Sequence, residues 1–483
     1  MQYNGFRLTN EQENALEIGR KLVSGQILKM EAGAGCAKTF TLCALTESVF
    51  TQSKVLYLAF NRKIVAEISS KQIKGLDCFT WHGLAMQLVG KRFTKQQLET
   101  PFTAKIIAEA LNFKASVLGF NNIQFCELVR MTIANYCNSE QLNIEINHVE
   151  IPHYFNRRLS VDQQQSLKAK VFNCARSLWV QMTTTDRLPI DFDVVFKLFA
   201  NEMISGHLTL DYQVVLLDEA QDTSDLCLAV LKVMQSKLVL VGDRHQSLYQ
   251  WRKAVNAMAK VESDFDANLY QTFRYGQELC DLAGDFLAKH KRFKGEFIGN
   301  PRLETEIITE QSGEPKGVLL SRTNTNVVKN VLQAVESGRD CFIVGGSDKL
   351  LELVASVDQL RNNMMPKSRE IAQFDSWIEL KDYSLTEQGL NYRSLVRHIE
   401  KWGAERLING LSKLTDKPNN DLIGFGNVHQ SKGFEYPHVA LDNDFMALKG
   451  SNVDEEANTY YVAMTRAKYS LDVSRCSAVR ELV

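Results

Sequence analysis

The chain reads as an α/β protein built on two parallel sheets, and three observations predict it. Apolar runs without polar alternation recur at residues 55–60 (VLYLAF), 214–218 (VVLLD), 238–242 (LVLVG), 318–321 (VLLS) and 439–442 (VALD), with helical patterns between them. Strands of this kind are covered on both faces, as in parallel sheets flanked by helices. The runs fall into two groups on either side of residues 281–317, which predicts two lobes. Two stretches, from about 93 to 200 and from about 351 to 420, are helical in pattern with few strand-like runs, and read as one insertion in each lobe.

Composition is consistent with that size of fold. At roughly 150 residues per domain, 483 residues make about three structural units with large buried cores. The 56 Lys+Arg and 57 Asp+Glu leave a net charge of −1, so any nucleic-acid binding must come from a local groove and not from the whole surface. There is no 18-residue apolar run and no basic-then-apolar opening, so the expectation is a soluble intracellular protein, cytoplasmic or nuclear, with no membrane partner. The ten cysteines include no C-x-x-C pair, which argues against a zinc module and a disulfide framework and for reduced, mostly buried thiols.

The first element with chemistry is residues 27–39, ILKMEAGAGCAKT: a strand, a small-residue loop and a helix start. Such a loop wraps backbone N–H groups around phosphate oxygens, and the helix N-terminus adds partial positive charge. Lys38 is placed to reach the β- and γ-phosphates and Thr39 to hold Mg²⁺. The pattern G-x-x-x-x-G-K-[ST] would have glycine at 32 and 37, where this chain has Ala32 and Ala37; Gly33, Ala34, Gly35 and Cys36 complete the loop. Taken alone, the segment reads equally as an ordinary glycine-rich turn. Residues 214–222, VVLLDEAQD, form a strand ending in carboxylates. Asp218 suits a Mg²⁺ partner and Glu219 the base that orients an attacking water; a solvated acidic strand end is the alternative. A third strand, ending at residues 241–254 (VGDRHQSLYQWRKA), brings Asp243 and Gln246 to the same sheet edge, where ligands of open α/β sheets sit.

Together these segments resemble the superfamily 1 helicases of the UvrD/Rep type, and the remaining motifs follow in order. Residues 8–12 (LTNEQ) are similar to the adenine-reading Q motif, 60–63 (FNRK) and 80–83 (TWHG) to the single-strand contact motifs, 271–274 (QTFR) to motif IV, and 429–435 (HQSKGFE) and 461–468 (YVAMTRAK) to motifs V and VI. The segments 59–62, 272–275, 320–324 and 439–445 most resemble the helicase region of F-box DNA helicases. Neither an F-box nor a fused C-terminal nuclease is expected.

The resemblance implies two RecA-like P-loop lobes, with 1–93 and 200–275 as the ATP-binding lobe, 94–199 as its helical insertion, 276–350 and 421–483 as the second lobe, and 351–420 as a reduced insertion there. It implies ATP and Mg²⁺ as cofactors. Lys38, Asp218, Glu219, Gln246, Arg274 and Arg466 would carry hydrolysis, the two arginines coming together when the lobes close. Gln12 and Phe273 would meet adenine and Glu435 the ribose. Phe60, Asn61, Lys63, Trp81, His82, Trp251, Arg252 and His429 would contact nucleic acid, with buried-core roles open for Phe60 and Trp81. The implied partners are single-stranded and partly duplex DNA, with a protein partner or self-association to assist unwinding. The implied activity is 3′ to 5′ translocation or unwinding in repair or recombination. An ATP-switched DNA-binding subunit of weak turnover is the second reading. A small-molecule kinase explains none of the motifs after residue 220. The basic run 289–294 and Arg157-Arg158 are read as solvated surface.

Overall fold

A computed structural model describes residues 1–112, 117, 118, 120, 122–151, 159–248, 256–311, 313–364, 366–368, 371, 374, 376–385, 389–414, 422–445, 448 and 453–482. A short antiparallel hairpin, β1 (Gln2–Tyr3) and β2 (Phe6–Arg7), opens the chain. The first sheet contains β3 (Ile27–Ala32), β4 (Val55–Ala59), β5 (Leu76–Thr80), β6 (Val214–Leu217), β7 (Lys237–Gly242) and β8 (Phe265–Leu269). It is parallel throughout, in the order β5-β4-β6-β7-β3-β8.

Alternate residues of β4 serve different cores, as the two-residue strand period requires. Leu56 and Leu58 face the cluster shared with helices Asn122–Cys137, Val161–Thr184 and Phe192–Ile204. Val55, Tyr57 and Ala59 face the helices Asn10–Lys21 and Lys38–Ser48. Burial on both faces is what an unalternating apolar run signals. The first helical stretch therefore packs directly on the sheet.

The second sheet contains β9 (Glu306–Ile308), β10 (Val318–Ser321), β11 (Cys341–Ile343), β12 (Ile423–Asn427), β13 (Tyr436–Leu441) and β14 (Ala467–Asp472). Its order is β11-β12-β10-β13-β14-β9, again all parallel. Val318 and Leu320 pack toward helices Gln277–Lys291 and Val453–Met464. Leu319 packs toward helix Asn324–Glu336 and the helices of the second insertion, which include Asp348–Arg361, Leu390–Trp402 and Ala404–Leu411.

Residues 281–317, between the two groups of apolar runs, hold β9, an edge strand of the second sheet. It has three residues, none fully buried, so it offers no apolar run to recognise. The basic run 289–294 does lie at a helix end. Phe293 turns inward there and stacks on Phe297 at 4.8 Å between ring centres. All ten cysteines are free thiols, and eight of them are buried.

Candidate nucleotide cleft and nucleic-acid interface

The phosphate loop leaves β3 at Ala32 and enters helix Lys38–Ser48. Ala37 has φ 55° and ψ 41°, a left-handed conformation that glycine adopts without strain and alanine does not. Gly35, at φ +73°, is needed for a second reason: a Cβ there would come within 2.6 Å of Thr272 Oγ1 and 2.7 Å of Arg274 Cβ. Thr272 Oγ1 donates to the Ala34 carbonyl at 2.8 Å, and the Phe273 amide donates to the Gly35 carbonyl at 2.9 Å. The loop is thus packed against segment 271–274.

The strand ends β3, β6 and β7 bring the predicted carboxylates to Lys38. Lys38 Nζ lies 3.3 Å from Glu219 Oε1. Thr39 Oγ1 donates to Asp218 Oδ2 at 2.9 Å, and Tyr57 OH donates to the same oxygen at 2.7 Å. Gln221 links two neighbours, its Nε2 donating to Glu219 Oε2 at 2.5 Å and its Oε1 accepting from the Asp243 amide at 3.0 Å. Glu219 is itself left-handed, at φ 52° and ψ 44°. Non-glycine strain of this kind persists where the surrounding structure over-determines it, and it clusters at functional sites.

The electrostatics follow from burial with too few cations. Burial pushes Asp218 above the usual carboxylate range, and the charge of Glu219 adds to the push. Burial opposes the charge on Glu219 too, but Lys38 and then Lys432 hold it below that range. Burial likewise opposes charge on Lys38, and Glu219, Asp243 and Asp218 together outweigh it, so the ammonium is held more firmly than in free lysine. A buried pocket with three carboxylates around one lysine suits a further cation. Among the described residues no cluster of three or more His, Cys, Asp or Glu is arranged to hold a metal. One carboxylate and one hydroxyl fit Mg²⁺, which keeps waters and takes phosphate oxygens as its other ligands.

The second lobe approaches this pocket from the N-terminal ends of β13 and β14. Arg466, immediately before β14, is 1% exposed, and its Nη2 donates to Gln246 Oε1 at 3.1 Å. Gln246 Nε2 in turn donates to Asp243 Oδ2 at 2.7 Å. Burial brings the Arg466 guanidinium down to about 9, and nearby Arg274 adds to the effect. Arg274 lies at the crossing between the sheets, where its Nε donates to Glu435 Oε2 at 2.8 Å and its Nη1 to the Thr465 carbonyl at 2.9 Å. Tyr461 OH donates to Asp243 Oδ2 at 3.0 Å and accepts from the Ala34 amide at 3.1 Å. Lys38, Asp218, Glu219, Gln246, Arg274 and Arg466 therefore belong to one cleft.

A family model of the UvrD/REP helicase N-terminal domain matches residues 8–266, and one of the UvrD-like helicase C-terminal domain matches residues 346–478. The chain belongs to the UvrD/Rep helicase family. It is 26% identical over 516 residues to F-box DNA helicase 1 of Gallus gallus, covering 97% of this chain and 49% of that protein. With F-box DNA helicase protein 1 of Schizosaccharomyces pombe it shares 25% identity over 520 residues, covering 96% of this chain and 57% of the relative. With DNA helicase II of Haemophilus influenzae the identity is 23% over 336 residues, 63% of this chain and 43% of that one. The chain thus spans about half the length of these relatives.

Within this UvrD/Rep chain the remaining expected residues divide. Phe273 is 45% exposed near the phosphate loop, open for stacking. Gln12 is buried with both ends of its amide engaged: Oε1 accepts from the Thr9 amide at 3.0 Å, in a capping box with Thr9, and Nε2 donates to Thr41 Oγ1 at 3.1 Å. Glu435 pairs with Arg274. On the expected nucleic-acid side, Phe60 is 42% exposed, with Lys432 Nζ 5.8 Å from its ring centre, and Lys63 Nζ lies 5.0 Å from the Phe434 ring centre. These two cation–π pairs cross between the lobes. Asn61 caps helix Arg62–Ser70 by accepting from the Ile64 amide at 3.0 Å. Trp81 is half-buried against Phe196, and exposed His82 meets Asp193 at 2.9 Å. His429 is half-buried, and burial lowers its basicity. Trp251 and Arg252, like Arg157-Arg158, lie outside the described residues.

Four further residues belong to this cleft. Tyr461 and the pair Lys432–Asp222 lie inside quoted motifs without an assigned part; Lys432 Nζ bonds Asp222 and, at 2.7 Å, the Gln246 carbonyl. Tyr57 had one signal, a hydroxyl-bearing side chain in an otherwise apolar strand. No helix among the described residues is long and apolar enough to cross a membrane.

Proposed function

We propose that this chain is an ATP-dependent motor that moves 3′ to 5′ along single-stranded DNA, separating duplexes or displacing bound protein in repair or recombination. The polarity and the pathway class rest on the family. The observation that carries the reading is the Arg466–Gln246 contact at 3.1 Å, by which a second-lobe guanidinium completes a first-lobe pocket.

In this reading the amides of residues 33–39 and Lys38 bind the phosphates, and Thr39 and Asp218 would hold Mg²⁺. Mg²⁺ supplies charge neutralisation on the phosphate oxygens. Phosphate competes with Glu219 for Lys38, which frees the Glu219 carboxylate to orient a water and accept its proton. Arg466 and Arg274 stabilise the charge that spreads over the equatorial oxygens, an effect of about 10³–10⁵ in rate for an arginine finger. Turnover is tied to lobe closure because Arg466 loses Gln246 when the lobes part. The cross-lobe pairs of Phe60 and Lys63 sit on the face where a strand would lie, and a stacked aromatic contributes about 1–3 kcal/mol per base whatever the sequence.

The test is displacement of a bound block from either end of a single strand, with ATP. Release of blocks at the 5′ end only supports the motor, and release from neither end despite ATP turnover overturns it. A second reading, an ATP-switched DNA-binding subunit of weak turnover, is favoured by left-handed Ala37; DNA binding without DNA-stimulated hydrolysis selects it.

A further inference from the structure

We propose that Tyr57 is a positioning residue for Asp218, holding that carboxylate ready for the divalent cation of a bound nucleotide. The inference rests on the nucleotide-cleft reading and adds a residue from outside the loop and strand ends that make the cleft.

Tyr57 is the middle residue of β4, which lies beside β6, and its Cα is in register with Leu216, two residues before Asp218. The side chain is wholly buried, on the face of the sheet packed by the phosphate-loop helix. Its hydroxyl therefore arrives under the strand end and donates to Asp218 Oδ2 at 2.7 Å. That oxygen also accepts from Thr39 Oγ1 at 2.9 Å, while Oδ1 accepts from the Glu219 amide at 2.9 Å. Three protein donors thus take the place of water around a carboxylate that is 3% exposed.

The three are not equivalent. Thr39 belongs to the phosphate loop and the Glu219 amide to the left-handed turn after β6, two segments that nucleotide contacts directly in this reading. Tyr57 is anchored in the sheet, four strand residues of which are packed on one or the other core around it. It ties Asp218 to the rigid part of the lobe, so the carboxylate keeps one orientation whatever the loop does. A phenylalanine would fill the same space without the donor, which isolates the hydroxyl as the variable. Partners that orient a metal ligand typically contribute about 10–100-fold in metal affinity when removed.

The experiment is equilibrium binding of a fluorescent ADP to the full chain and to Tyr57→Phe, titrated with and without Mg²⁺, with melting midpoints measured alongside. The expected result is that Tyr57→Phe needs about 10–100-fold more Mg²⁺ to reach the tight-binding state, while its affinity for ADP without Mg²⁺ matches the parent. An unchanged Mg²⁺ requirement overturns the proposal. Equal weakening with and without Mg²⁺, or unfolding of the variant before nucleotide is added, assigns Tyr57 to the fold and overturns it as well. If the parent binds no nucleotide at all, the cleft reading fails first, an outcome distinct from a parent that binds with Mg²⁺ and a variant that does the same.

Discussion

Arg466 and Gln246 stand 3.1 Å apart, and through them the turn before β14 of the second lobe is joined to the strand end that carries Asp243. The contact joins positions 220 residues apart in the chain. Replacing Arg466 by Ala removes the second-lobe charge and leaves Gln246 Oε1 without its buried donor. The expected outcome is a loss of about 10³-fold or more in DNA-stimulated ATP turnover, with binding of ADP changed much less. Single-turnover hydrolysis and ADP titration check the two halves separately; equal losses in both would remove Arg466 from the rate-determining chemistry.

Lys38 and Glu219 are paired at 3.3 Å, yet their variants are expected to fail differently. Lys38→Ala loses phosphate affinity and turnover together. Glu219→Gln keeps nucleotide binding and loses DNA-stimulated hydrolysis, because the amide holds the geometry but accepts no proton. A coupled assay plus nucleotide titration decides, and parental turnover in either variant excludes that residue from the mechanism.

Ala37 occupies a left-handed conformation that costs an L-residue about 1–2 kcal/mol, while glycine costs roughly 0.5–1 kcal/mol in chain entropy. The net for Ala37→Gly is a gain of about 0–1.5 kcal/mol. Melting midpoint and ATP turnover are expected to hold or rise. A large fall in rate would show that the loop is adapted to the methyl group.

His245 is buried beside Gln246, its ring edge-on to Phe293 and Tyr461, and neither ring nitrogen has a hydrogen-bond partner among the described residues. Burial lowers its basicity to about 4 from 6.5, with Lys291 and Arg244 adding to the shift against Glu31 and Asp454. Between pH 4 and 6.5 the unfolded chain therefore binds a proton that the folded chain does not, so stability rises with pH through this window and is lost as pH falls. His245→Phe keeps the aromatic packing and removes the titration. Its melting midpoint is expected to fall less steeply than the parent's from pH 6.5 to 4, and parallel curves would refute the assignment.

Much of this architecture was readable locally. Runs such as 55–60 and 214–218 predict parallel strands because both faces must be apolar when both are covered. The small residues at 33–37 between an apolar run and a helical pattern predict the strand–loop–helix that the fold shows. Short or polar pieces gave no such signal: β9 has three residues and no buried run. The capping bonds of Gln12 and Asn61, whose side-chain oxygens accept from the Thr9 and Ile64 amides, follow from orphan N–H groups at a helix start taking a nearby side-chain oxygen.

Periodicity along a chain reports which face of a strand or helix is buried, since that repeats every two or 3.6 residues. It carries no record of which polar atom meets which across the interior. That Tyr57 bonds Asp218, that Lys432 reaches Asp222, and that Arg466 meets Gln246 were decided by long-range packing, which brings together residues 161 to 220 positions apart and selects partners by hydrogen-bond geometry in a buried site.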